Sequence, residues 1–211
     1  YASLEPTRAP KMISKARIFY DQGKYEKALA LSDSYNTYYS RLLSLECLFS
    51  LGKIADIYKR LEKNADLDAH NLQVAAFASF IQGTQKKAVQ NKFCCNSLEY
   101  LYFSNISKHV SDTKSFIAKV IGDLNSVPKV WQPNLLSIRK GFKTSSDLFN
   151  FPKENVNALK TIIYKEIDLY YDKFRDMNCT FINDWPKLKK IKGWHVVLKE
   201  QGYNTMHIHH D

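Results

Sequence analysis

Three glycines set the frame of the first half of the chain. Gly23 in Phe-Tyr-Asp-Gln-Gly-Lys-Tyr-Glu-Lys-Ala-Leu, Gly52 in Leu-Phe-Ser-Leu-Gly-Lys-Ile-Ala-Asp-Ile-Tyr and Gly83 in Ser-Phe-Ile-Gln-Gly-Thr-Gln-Lys-Lys-Ala-Val recur about every thirty residues, each between two aromatic-bearing amphipathic runs. Glycine can enter the left-handed conformation that closes a helix without a Cβ clash. Each is therefore expected at the turn between the two helices of a helix-turn-helix repeat. An ordinary antiparallel helical bundle with similar loops reads the same way. Under either reading Leu42, Leu45, Leu48, Phe49, Ile54, Ile57, Leu61, Val74, Phe77 and Phe80 are the expected helix–helix core.

With 45% apolar and 13% aromatic residues, a chain of 211 residues can bury a substantial core, as one large or two small domains. The net charge of +10 invites a nucleic-acid reading. Lysine, however, is interspersed with Asp and Glu along the whole chain, and no dense arginine and aromatic patch of a recognised kind is visible, which argues against a nucleic-acid partner. The densest basic run, Lys187, Lys189, Lys190 and Lys192, comes after Trp185-Pro186 and reads as a solvated loop or a lysine-guarded edge strand. Cys47, Cys94, Cys95 and Cys179 lack Cys-x-x-Cys spacing, so buried thiols in a reducing cytoplasm are expected rather than a zinc knuckle or redox motif. No charged-then-apolar leader and no bilayer-length apolar run is present, so no membrane partner is expected. Beginning at Tyr1 and ending inside a predicted strand, the chain reads as a piece of a longer polypeptide.

The helical pattern is expected to continue from 92 to 124, through Leu98, Leu101 and Tyr102 and then Phe116, Ile117, Val120 and Ile121. Prolines at 128 and 133 push their preceding residues toward extended geometry, which places a boundary within 122–134. The expected organisation is a helical region over 1–124 and a second domain over 125–211. Within the latter, 138–148 reads as extended and turn-rich. Val156, Leu159, Ile163, Ile167 and Tyr170 predict a helix over about 154–175, with Asn150 or a neighbour as its cap and Pro152 in its first turn. Trp194 to Leu198 and Tyr203 to His210 predict two strands joined by a turn at Gln201-Gly202. Alternation on the last strand puts His207, His209 and Asp211 on one face, a spacing able to aim imidazoles and a carboxylate at a single metal. The alternative is a histidine cluster with no native metal. His70, His109 and His195 are expected to be structural or solvated.

Two resemblances attach to these residues. The first repeat, with Ala16, Phe19, Gly23, Tyr25, Ala28 and Leu31, resembles a tetratricopeptide repeat, and its successors are degenerate. The order Trp131, Ser137-Ile138-Arg139-Lys140-Gly141-Phe142-Lys143-Thr144, Asp147-Leu148-Phe149, a helix with Tyr170-Tyr171, Gly193-Trp194-His195-Val196-Val197, Gly202-Tyr203 and His207-Ile208-His209 resembles the 2-oxoglutarate and iron(II)-dependent oxygenases fused behind such repeats. The resemblance implies an α+β, mostly α chain: tetratricopeptide-like repeats, then the incomplete start of a double-stranded β-helix (jelly-roll) domain. It further implies Fe(II) at His207 and His209 with Asp211 as an alternative ligand, 2-oxoglutarate as cosubstrate, and a protein or peptide partner on the repeats. The distal histidine and the basic residue for the oxoacid carboxylate would come from later strands. In the family's Arg-Gly-Gly-like stretch Lys140 takes the place of a glycine, and His210 stands where proline often comes after His-x-His. The rival from another class is a non-enzymatic helical adaptor.

Overall fold

The computed structural model describes residues 9–132 and 137–205. The chain is α+β and mostly α, with eight α-helices and one three-stranded antiparallel sheet among the described residues. None of these helices is long and apolar enough to cross a membrane. Two compact units are present: residues up to Leu101 with Phe174–Trp185, and Tyr102–Lys173 with the chain from Pro186 onward.

The first unit contains α1 (Ala9–Asp21), α2 (Tyr25–Tyr35), α3 (Tyr38–Ser50), α4 (Ile54–Lys63), α5 (Leu72–Gln85) and the short α8 (Thr180–Asn183). At the α1–α2 turn Gly23 has φ +72°, its N–H donates to the carbonyl of Tyr20 and that of Lys24 donates to Phe19. The α3–α4 turn repeats the arrangement: Gly52 has φ +70°, Gly52 N–H reaches Phe49 and Lys53 N–H reaches Leu48. Both are Schellman closures, in which the left-handed residue turns two orphan carbonyls inward. Gly83 departs from expectation. It lies inside α5, and the left-handed residue that caps this helix is Lys86, at φ +52°. No partner helix comes directly after it. Instead the buried Asn91 donates from Nδ2 to the Ala75 carbonyl of α5 and accepts from the Cys94 amide, fixing an irregular segment against that helix.

Asn71 shows how the starts of α3 and α5 are held together. Fully buried, it caps α5 by accepting from Val74 N–H and donates to the Tyr38 carbonyl and to Asp68. Leu45, Leu48, Ile57, Leu61, Val74, Ala78 and Ile81 form one apolar cluster beneath these helices, and Ala16, Ala28, Leu43 and Cys47 form another. Phe49 and Phe80, expected in the core, remain 38% and 47% exposed. The rest of the unit is tied by rings: Phe93, Tyr100, Phe174, Phe181 and Trp185 form a chain of aromatic contacts with centroids 5.3–6.0 Å apart.

The second unit holds α6 (Thr113–Ser126), β1 (Lys129–Gln132), β2 (Ile138–Thr144), α7 (Glu154–Phe174, its last residue counted with the first unit) and β3 (Val196–Asn204). The helix expected from 92 onward begins only at Thr113. Residues before it carry two 3-10 turns; at the second, the Asn105 side chain accepts from the Ser107 amide, a local bond that competes with the helical ladder, and Asp112 then caps α6 by accepting from Ser115 N–H. The division between the compact units consequently falls at 101/102, whereas the change in sequence character lies at 124/125. β2 is the central strand, paired with β1 on one side and β3 on the other. The N-terminus of α7 is capped from a distance: Asp123 Oδ2 of α6 accepts from the amides of Asn155 and Val156, in place of the local cap expected at Asn150. Val127, Leu148 and Val156 form the small buried core, flanked by Leu124, Phe149 and Phe151.

Candidate functional site

β3 leads directly toward the expected metal-binding segment. The turn expected at Gln201-Gly202 is a bulge within one continuous strand, and both flanks pair with β2. Val196, Val197 and Leu198 face Lys143, Phe142 and Gly141, while Tyr203 and Asn204 face Arg139 and Ile138, so Lys199–Gly202 stands against Lys140 alone. Backbone geometry absorbs the mismatch: Lys140 and Gln201 adopt φ +52° and +59°, and Lys140 Nζ donates to Gln201 Oε1. Gly202 is required by proximity, since a Cβ there would lie 2.7 Å from the Lys140 carbonyl oxygen and 2.8 Å from that of Lys199. Beyond the bulge, Thr205 donates from both its amide and its hydroxyl to the Ser137 carbonyl. His207, His209 and Asp211 lie outside the described residues. Among the described residues no group of three or more His, Cys, Asp or Glu side chains is placed to hold a metal ion.

The other histidines have structural partners. His70 meets Asp184, and His195 Nδ1 lies 3.3 Å from the Leu124 carbonyl oxygen. His109 belongs to a polar cluster that the sequence did not reveal. Glu166 on α7 pairs with His109 through one carboxylate oxygen, which also accepts from Ser104, while the other accepts from Tyr102. The His109 and Tyr102 bonds, with Ser104 adding to them, outweigh desolvation and hold the Glu166 carboxyl down to about 2. The bond from Tyr102 to Glu166 raises the Tyr102 hydroxyl. These bonds clamp the 102–109 segment onto α7.

The helical unit has a cleft of about 460 Å³ lined by Asp33, Arg41, Ser44, Arg60 and Asp68. Its guanidinium groups are already neutralised, Arg60 by both oxygens of Asp33 and Arg41 by Asp68 at 2.6 Å. Burial raises the Asp33 carboxyl, but Arg60 and Ser44 outweigh it and the net shift is downward. An anion would have to break these pairs, so the cleft is a structural brace. Elsewhere on the unit, Phe49, Phe77 and Phe80 pack edge to face or tilted, with centroids 5.4–6.2 Å apart, and form a partly exposed apolar surface on α3 and α5. Of the thiols, Cys47, Cys94 and Cys179 are buried and Cys95 is exposed, which corrects the expectation that all are buried. Burial, with Glu46 beside Cys47 and Cys179 beside Cys94, pushes the Cys47 and Cys94 thiols up to about 11, away from nucleophilic use.

Comparison with known proteins returned no match to any family model, to any curated protein or to any solved structure.

Proposed function

We propose that the chain joins a tetratricopeptide-like, partner-binding helical unit to the opening portion of a double-stranded β-helix oxygenase dependent on Fe(II) and 2-oxoglutarate. The observation that carries this reading is the bulge shared by β2 and β3. Lys140, where the resembling family has glycine, adopts the positive φ that glycine favours, and Gly202, where the family has its Gly-Tyr turn, is required by close backbone approach. Thr205 is then bonded to Ser137, so the His-x-His segment comes directly after a paired strand. In this reading His207 and His209 hold the iron, with Asp211 as the alternative carboxylate ligand, and two imidazoles with a carboxylate suit a non-haem ferrous centre with open positions. When bound, iron couples oxidative decarboxylation of 2-oxoglutarate to hydroxylation of a substrate. The complete domain is needed to enclose and orient these ligands. Anaerobic Fe(II) titration of the complete protein tests the assignment: His207→Ala and His209→Ala should each weaken binding by about 10-fold or more, and unchanged binding in both variants would end it.

The adaptor reading is favoured by the Phe49, Phe77 and Phe80 surface, which suits an apolar peptide segment, as repeat scaffolds bind through surfaces shared between helices. Phe49→Ala and Phe80→Ala should abolish selection of peptides from a displayed library while leaving the helical circular dichroism intact. Retained selection in both variants removes the partner surface from α3 and α5.

A further inference from the structure

A second cleft lies in the sheet-containing unit. It encloses about 320 Å³ and is lined by Lys143 and Thr144 at the end of β2, Ser145 and Ser146 after it, and Lys192, Gly193 and Trp194 ahead of β3. Lys143 Nζ sits 4.4 Å from the centroid of the Trp194 ring and has no carboxylate partner among the described residues. An indole face holds an ammonium group in place without cancelling its charge, so this cation is positioned yet available. The Ser145 and Ser146 hydroxyls are exposed and have no protein partner among the described residues. The lining includes one carboxylate, Asp147, and its Oδ1 is taken by the amides of Gly193 and Phe149. That carboxylate shapes the floor by pinning the loop before β3 to the loop after β2, an arrangement reinforced by the Leu148 amide donating to the Gly193 carbonyl at 2.7 Å. The surrounding unit has sixteen Lys and Arg against nine Asp and Glu, for +7 of the chain's net +10.

We propose that this cleft binds a nucleotide: Lys143 and Lys192 meet the phosphate, Ser145 and Ser146 donate hydrogen bonds to it, and the exposed part of the Trp194 indole carries the base. Cation, hydroxyl and flat ring within one small concavity match a ligand that joins a phosphate to an aromatic base. A volume of about 320 Å³ lies at the lower end of the range for small-molecule sites, which fits one nucleotide and not a dinucleotide cofactor. The same chemistry is presented by a free mononucleotide and by one residue of a single strand.

The test uses Trp194 as its own reporter. With Trp131 and Trp185 replaced by Phe, fluorescence is titrated at low salt with adenosine monophosphate, adenosine, and a fifteen-residue oligothymidylate. Saturable quenching by the monophosphate is expected, with adenosine at least about tenfold weaker, because adenosine lacks the charged group that the lysines and hydroxyls meet. Lys143→Gln and Lys192→Gln should each weaken the monophosphate about tenfold, and Lys114→Gln, in the same unit but away from the cleft, should leave it unchanged. Lys192→Gln lies in a loop, so it keeps the test decisive if Lys143→Gln disturbs β2. Saturable binding of the oligothymidylate, lost in the two cleft variants, assigns the ligand to a single strand, and binding of the monophosphate alone assigns it to a free nucleotide. Equal affinity for adenosine and its monophosphate, an unchanged response in both cleft variants, or no saturable response to either phosphate ligand overturns the proposal.

Discussion

The helical unit and the sheet-containing unit are stabilised by different physics. The former buries two apolar clusters beneath five helices and braces its surface with neutralised Arg–Asp pairs. The latter has a small buried core around Val127, Leu148 and Val156 and relies on carboxylates that bridge elements: Asp123 caps α7, Asp147 joins the loop after β2 to the loop before β3, and Glu166 clamps the 102–109 segment. Apolar burial is indifferent to pH and robust to single polar changes, whereas carboxylate bridges need their charge. The unit proposed to do chemistry is thus the more basic one, and the one whose elements are joined chiefly through carboxylates.

The largest separation between the units should come from their cores. Ile57→Ala, at a position with no solvent exposure, should cost about 2–5 kcal/mol, and Val156→Ala, also fully buried, about 2 kcal/mol. Trp185 reports on the helical unit, and Trp131 and Trp194 report on the other. In urea, Ile57→Ala should lower the midpoint seen by Trp185, and Val156→Ala the midpoint seen by Trp131 and Trp194. Equal shifts at both reporters for either variant would merge the two units into one cooperative block. Next in size is Gly202→Ala. Its Cβ would press on three carbonyl oxygens, forcing the bulge to open at about 1–3 kcal/mol, with faster amide exchange confined to β2 and β3. Exchange at wild-type rates would show that the bulge needs no glycine.

Smaller still are the effects that separate the three glycines. Gly52→Ala places a side chain in the left-handed region and should cost about 1–2 kcal/mol. Gly83→Ala, mid-helix with open space around the new methyl, should stabilise by about 0.5–1 kcal/mol. Thermal melts that move in the same direction for both variants would contradict the assignment of Gly83 to the interior of α5. The subtlest test is acid. Glu166 ordinarily titrates near 4.5 and is held at about 2 in the folded state, so its contribution is complete above about 4.5 and is lost as pH falls toward 2. Asp123 and Asp147 are lowered as well. Desolvation raises Asp123, but the amides of Asn155 and Val156 outweigh it, and for Asp147 the Gly193 amide leads. Acid should therefore unfold the Trp131 and Trp194 unit first, and Glu166→Gln should flatten part of that dependence. Loss of both units at one pH would refute the contrast.

Much of the fold was legible where local chemistry decides it. Gly23 and Gly52 precede the helix-starting runs that a Schellman closure needs, and the apolar period of 156–170 marks α7. Gly83 carries the same sequence signal, but the segment beyond α5 is bonded back to that helix through Asn91, a tertiary event that periodicity cannot register. The Gln201-Gly202 pair reads as a hairpin turn by composition. It becomes a bulge because β2 offers partners to both flanks, which is long-range information. The Glu166 cluster and the Lys143–Trp194 pair assemble from segments far apart in the chain, each residue ordinary in its own neighbourhood.

The central claim is that His207 and His209 hold catalytic iron, and 2-oxoglutarate turnover by the complete protein tests it most directly. Fe(II)-dependent consumption of 2-oxoglutarate with release of succinate is expected, lost in His207→Ala and in His209→Ala while the melting of the helical unit stays unchanged. Turnover that persists in both variants, or no Fe(II)-dependent consumption by the wild-type protein, would contradict it and leave the helical unit's partner surface as the better account of what this chain does.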